Sequence, residues 1–177
     1  TFVQQLSQSY RNILEVRDEK LITLNQELKS LASYIYLLKT RFQGKIHIFN
    51  TINPEHLNQF IIPISLQILI ENAVKHNMVT ASKPLHIKIY EDNNNLVVEN
   101  NLQPKQIVKK SSGVGLSNIK QRYDLLTNKK VNINQQAARF AVAIPMLTKQ
   151  IKSMERIDTN TKQDAYYKAK KQVEEIK

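Results

Sequence analysis

The sequence predicts an α+β fold, a two-layer sandwich in which a mostly antiparallel sheet is covered on one face by helices. Three observations carry this. The hydrophobic period changes from about 3.6 to 2 at Gly44. Beyond that point strand-like runs come in neighbouring pairs joined by short polar turns, as antiparallel hairpins are. Helical patterns fall before and between those pairs, so helices and strands segregate into layers instead of alternating as parallel βαβ units.

Phe2, Leu6, Tyr10, Ile13 and Leu14 recur at steps of three and four, predicting a helix over residues 2–16 with one apolar stripe. After a charged break at 17–20, Leu24, Leu28, Leu31, Ile35, Leu38 and Phe42 form a narrow seam. Thr23 with Gln26 three residues on is a capping box that starts this second helix near Leu24. The seam serves either packing within the hairpin or dimerisation. Residues 45–50 alternate as a strand, and Pro63 suits the first turn of a largely buried helix over 64–77. Strands are predicted at 86–91 and 96–100 around an Asn-rich turn, a helix at 116–126, and a closing hairpin at 130–135 and 139–144, stopped by Pro145. Beyond Leu147 the composition turns polar and basic, a solvated helix or tail.

The chain of 177 residues is 41% hydrophobic and 23% charged, the composition of a folded protein with one compact domain plus extensions. With no cysteine, thiolate metal sites, disulfides and thiol catalysis are excluded. The longest apolar run, residues 60–70, is broken by Pro63, Ser65 and Gln67 and is shorter than the ~20 residues a spanning helix needs. The net charge of +11 is spread along the chain without interleaved aromatics, so direct nucleic-acid binding is not expected. A start at Thr1 without Met suggests a piece of something longer.

Two segments carry chemistry. On the buried helix, Glu71, Asn72, Lys75 and His76 bring polar groups to a largely apolar element, with Asn72, Lys75 and His76 at i, i+3 and i+4. Such a stripe is either a solvent-facing edge or a site where an amide meets a hard cation and a lysine meets phosphate. The second is Gly113, Val114, Gly115 and Leu116, holding two of only three glycines immediately before a helix. There the backbone N–H groups and the helix dipole favour an anion, although a plain helix-initiating turn would look the same.

In this order the two segments resemble the N box and second glycine box of the GHKL ATPases, and more narrowly the LytS-type sensor histidine kinases. Further matches are Leu6-Ser7 with Tyr10-Arg11, Arg41-Phe42, Ile62-Pro63 before Leu66-Gln67, and residues 142–145, so the resemblance spans about residues 2–147. It implies a Bergerat-type ATP-binding domain over 44–147, a helical dimerisation remnant over 1–43, and a basic tail over 148–177. It also implies ATP with Mg²⁺ as cofactors. Asn72 would ligate the metal, Lys75 and His76 would approach phosphates, and Gly113 and Gly115 would shape a lid hinge. The implied partners are a second copy of the chain and a response-regulator receiver domain, for which a LytTR-type regulator is one candidate. The implied place is the cytoplasmic side of a membrane-anchored sensor.

The acceptor histidine of the family lies upstream of the segment matching Phe2, so the expectation is that it precedes this sequence; His56 is read as a loop residue and His47 and His86 as solvent-facing. Where the family has an Asp-x-Gly box for adenine, this chain has Asn100 and Leu102, and Lys105, Lys109 and Lys110 occupy the lid, as a phosphate lure or a solvated loop. A kinase-like domain that no longer binds ATP and serves as an interaction module is the alternative. Gyrase- or chaperone-type ATPases fit less well, since they carry a carboxylate where this chain has Ile68.

Overall fold

The computed structural model describes residues 1–16, 18–105 and 114–148. Gly113, the lid residues Lys109 and Lys110, and the tail from residue 149 onward lie outside the described residues. The chain divides into a unit Thr1–Leu147 and a second, Thr148–Lys177. The helices and strands of the described residues all belong to the first unit.

Helix α1, Phe2–Glu15, opens with a capping box between Thr1 and Gln4. Strand β1, Ile22–Thr23, leads into α2, Leu24–Phe42. There the predicted box is present, with Gln26 N donating to Thr23 Oγ1 at 3.2 Å and Thr23 N donating to Gln26 Oε1 at 2.9 Å. Gln43 and Gly44, at φ 50 and 77, turn the chain out of the helix. Strand β2, Ile46–Asn50, a 3₁₀ turn at Pro54–His56 and β3, Phe60–Ile61, precede α3, Ser65–His76. Strands β4, Leu85–Asp92, and β5, Asn95–Asn101, meet at Asn93 and Asn94, whose φ values of 47 and 61 fit the primed turn that a tight hairpin requires. Helix α4, Val114–Leu126, and strands β6, Asn132–Gln135, and β7, Arg139–Pro145, complete the unit.

The main sheet has the order β2-β4-β5-β7-β6, antiparallel except for the parallel β2–β4 pair. One face carries Ile46, Ile87, Ile89, Leu96, Val98, Val142 and Ile144 into a single core with Leu66, Leu69, Ile70, Ile119 and Tyr123 of the helices. This is the predicted sandwich. The β1–β3 pair is not foreseeable from the sequence, because two-residue strands show no period.

The seam of α2 goes to intramolecular packing: Leu24, Leu31 and Leu38 are buried, and Leu28, Ile35 and Phe42 pack against the same core. Helix α1 departs from expectation. It turns Ser9 and Asn12 toward α2, with Asn12 Nδ2 donating to Ser30 O at 3.3 Å; of the predicted stripe Ile13 is half-buried, while Phe2, Leu6, Tyr10 and Leu14 remain exposed.

Candidate functional site

A cavity of about 500 Å³ opens between α3, α4 and the ends of β5, β6 and β7. Its position follows from strand periodicity. Asn100 continues the inward row Leu96, Val98 of β5, so at 3% exposure it stands where the core face gives way to the cavity. Its Nδ2 donates to Asn101 O at 2.7 Å, which leaves Oδ1 to accept from a ligand. Asn77, also on the wall, has both polar atoms engaged. Its Nδ2 donates to Ala73 O and its Oδ1 accepts from Gln103 N, each at 2.8 Å. These bonds fix its side chain as part of the wall.

Helix α3 contributes Asn72, Ala73 and His76, and α4 contributes Leu116, Ser117 and Lys120. Glu71 and Lys75, one residue round the same helix, are exposed and do not line the cavity. The i, i+4 pairs 71/75 and 72/76 thus face different ways, which separates Lys75 from the residues grouped with it in the sequence. Lys105 is also committed elsewhere: its Nζ donates to Val74 O at 3.1 Å and Lys75 O at 2.8 Å, at the negative end of α3. Burial, with Lys75 and Lys105 adding to it, lowers the pKa of His76 below 6.5, so its imidazole is neutral at neutral pH.

Val114 is half exposed, and Gly115 lies where a Cβ would come within 3.1 Å of Ile68 Cγ2, so the glycine sets how closely α4 approaches α3. Leu102 lines the cavity and is not among the described residues with positive φ, so the backbone at the family's glycine position accepts a side chain. Ser117 and Lys120 were missed in the sequence. The step of four from Leu116 to Lys120 along α4 was the available signal, but nothing marked that face as the inner one. Of the other histidines, His56 pairs with Glu91 through Nδ1 and Oε2 at 2.5 Å, and His47 and His86 stack with centroids 5.0 Å apart.

The lining is suited to a ligand with an apolar part, a hydrogen-bond donor and negative charge. Ala73, Leu102, Leu116, Ile133 and Phe140 offer apolar contact, Asn100 an acceptor, Lys120 a cation, and none of these lining residues is a carboxylate.

A histidine-kinase family profile matches residues 1–46. "Sensor protein LytS" of Staphylococcus epidermidis is 34% identical over 85 residues, covering 48% of this chain and 14% of that protein. "Sensor protein LytS" of Oceanobacillus iheyensis is 31% identical over 136 residues, covering 67% and 23%. The catalytic domain of histidine kinase ThkA superposes with a TM-score of 0.49 at 15% identity, over 72% of this chain and 96% of that one, a likeness too loose to bear on any residue. The sequence matches place the chain among the histidine kinases. Within that class its similarity is to the LytS-type sensors, of whose length it spans less than a quarter.

Proposed function

We propose that the chain binds Mg²⁺-ATP in this cavity and acts as the catalytic part of a sensor histidine kinase. The phosphoryl group would pass to a histidine outside these 177 residues and from there to a response-regulator receiver domain. The observation that carries the reading is the convergence on one cavity of Asn72, His76, Asn100 and Leu116, from three separate elements. Asn100 Oδ1 would accept from the adenine amine while the apolar walls exclude water from the base. Lys120 would face phosphate, neutral His76 would offer a ring nitrogen as donor or acceptor, and Asn72 would offer a neutral oxygen to Mg²⁺. The metal, when bound, neutralises phosphate charge.

Two further parts of the reading rest on other observations. The exposed stripe of α1 supports a homodimer formed through the N-terminal helices. The resemblance to LytS-type sensors implies a parent anchored at a membrane with this part on its cytoplasmic side. Among the described residues no helix is long and apolar enough to cross a membrane.

Asn100 and Leu102 favour one rival. An amide lacks the charge of a carboxylate, and a leucine takes space, so the cavity could be a relic within an interaction module. Calorimetric titration with a non-hydrolysable ATP analogue, with and without Mg²⁺, decides between them. Metal-dependent binding that Asn72→Ala weakens at least tenfold supports the kinase site. Silence in the unaltered chain, with binding gained in Asn100→Asp, supports the module.

A further inference from the structure

Helix α3, which carries Asn72 and His76, does not cap itself. Its N-cap residue Ile64 supplies no side-chain acceptor and sits at φ 67, a conformation β-branched residues rarely adopt. The open N–H groups of the first turn are taken by a residue of another helix: Glu27 of α2 accepts from Ile64 N through Oε2 and from Leu66 N through Oε1, both at 2.9 Å. Glu27 is 3% exposed. From the other side, Arg122 Nη1 of α4 donates to Pro63 O at 3.1 Å. A Ser or Asp at position 64 would cap the helix locally and leave no ion to bury. The carboxylate used instead comes from 37 residues away and ties the helical hairpin to the nucleotide helix.

We infer that Glu27 is a positioning residue through which α2 sets the placement of α3, and with it Asn72 and His76 in the cavity. Two hydrogen bonds to unpaired helix-terminal donors, in line with the helix dipole, hold the first turn of α3 to α2. A shift of α2 therefore either carries that turn with it or breaks both bonds. Asn72 lies roughly 12 Å further along the same rigid helix, at ~1.5 Å per residue, so a displacement at Ile64 is delivered to the cavity. The effect on nucleotide affinity rests on the nucleotide reading proposed above; the placement of α3 does not.

The test compares Glu27→Gln with Leu38→Ala in the full chain. The first removes one of the two acceptors. The second empties a buried site at the far end of α2 and touches neither bond. Amide hydrogen exchange along α3 and the affinity for a Mg²⁺-bound ATP analogue are measured for both. The expected result is that Glu27→Gln loses about tenfold protection at Asn72–His76 and about tenfold affinity. Leu38→Ala, though less stable overall, should leave α3 protected relative to the sheet and the affinity within about twofold. Equal effects in the two variants, or none in Glu27→Gln, would overturn the inference. If Glu27→Gln does not fold, Glu27→Asp, which keeps the charge and withdraws it by one methylene, is read by the same criteria. If the unaltered chain binds no analogue, the nucleotide reading fails, and the exchange comparison alone decides the role of Glu27.

Discussion

At Asn100 a single amide has two partners to serve, and the structure has already assigned one. With Nδ2 donating to Asn101 O, Oδ1 is the acceptor this side chain can offer on the cavity wall. A neutral acceptor there binds an amine more weakly than a carboxylate does, yet costs less to bury in the absence of ligand. Asn100→Asp should therefore tighten ATP-analogue binding roughly tenfold, about 1.4 kcal/mol, in calorimetry. The same variant should melt at a lower temperature without ligand. Glu27 poses the opposite balance. Burial raises its pKa above 4.5, against the lowering by its backbone partners. Between the unfolded and the folded pKa, the folded state therefore holds a proton that the unfolded chain has released, while above that window Glu27 is the carboxylate that accepts from Ile64 and Leu66. Its contribution to stability is full below pH 4.5 and is lost as pH rises through the folded pKa. Urea midpoints measured upward from pH 4.5 should fall more in the unaltered chain than in Glu27→Gln. Glu27→Ala, which leaves two buried N–H groups without partners, should cost about 2–4 kcal/mol at any pH in that range.

Among the elements, α3 and α4 show what periodicity can and cannot reveal. Both helices were legible, as was the capping box at Thr23, because caps and apolar spacing are local properties. The site was legible only in part. Asn72 and His76 could be found by pattern and Asn100 through the family resemblance, but Lys75 does not line the cavity, and Ser117 and Lys120 join its wall only once α4 lies across α3. The cap of α3 was not legible at all, since its acceptor sits on another helix. The α3–α4 approach depends on Gly115, and Gly115→Val should force Ile68 aside and lower stability by about 1–3 kcal/mol, read from urea unfolding. On α3 itself, the lowered pKa of His76 means that its stabilising contribution is full above pH 6.5 and is lost as pH falls through the folded value. Its NMR titration midpoint should lie below 6.5 in the free chain and rise when an ATP analogue brings negative charge into the cavity.

For the whole molecule, α1 is the element whose orientation the unit alone does not account for. Burial of apolar surface ordinarily decides which face of a helix turns inward, at roughly 25 cal/mol per Å². Here the inward face mixes Ser9 and Asn12 with half-buried Ile13, while Phe2, Leu6, Tyr10 and Leu14 stay 39–64% exposed at steps of four. A single continuous stripe of this kind is suited to the equivalent stripe of a second copy, since a two-fold interface is self-complementary. Sedimentation of the chain at micromolar concentration should show a dimer. Leu6→Glu with Leu14→Glu should give a monomer whose circular dichroism is unchanged, because neither side chain supports the core. A chain that stays monomeric at high concentration would assign the stripe to a different partner. A double variant that stays dimeric would move the interface off α1. A dimer formed through α1 would bear on ligand binding as well, because α2, against which α1 packs, carries the Glu27 carboxylate that holds α3. A rearrangement of paired α1 helices would then reach Asn72 through α2, so the monomeric variant should also bind the ATP analogue with altered affinity even though its cavity residues are untouched.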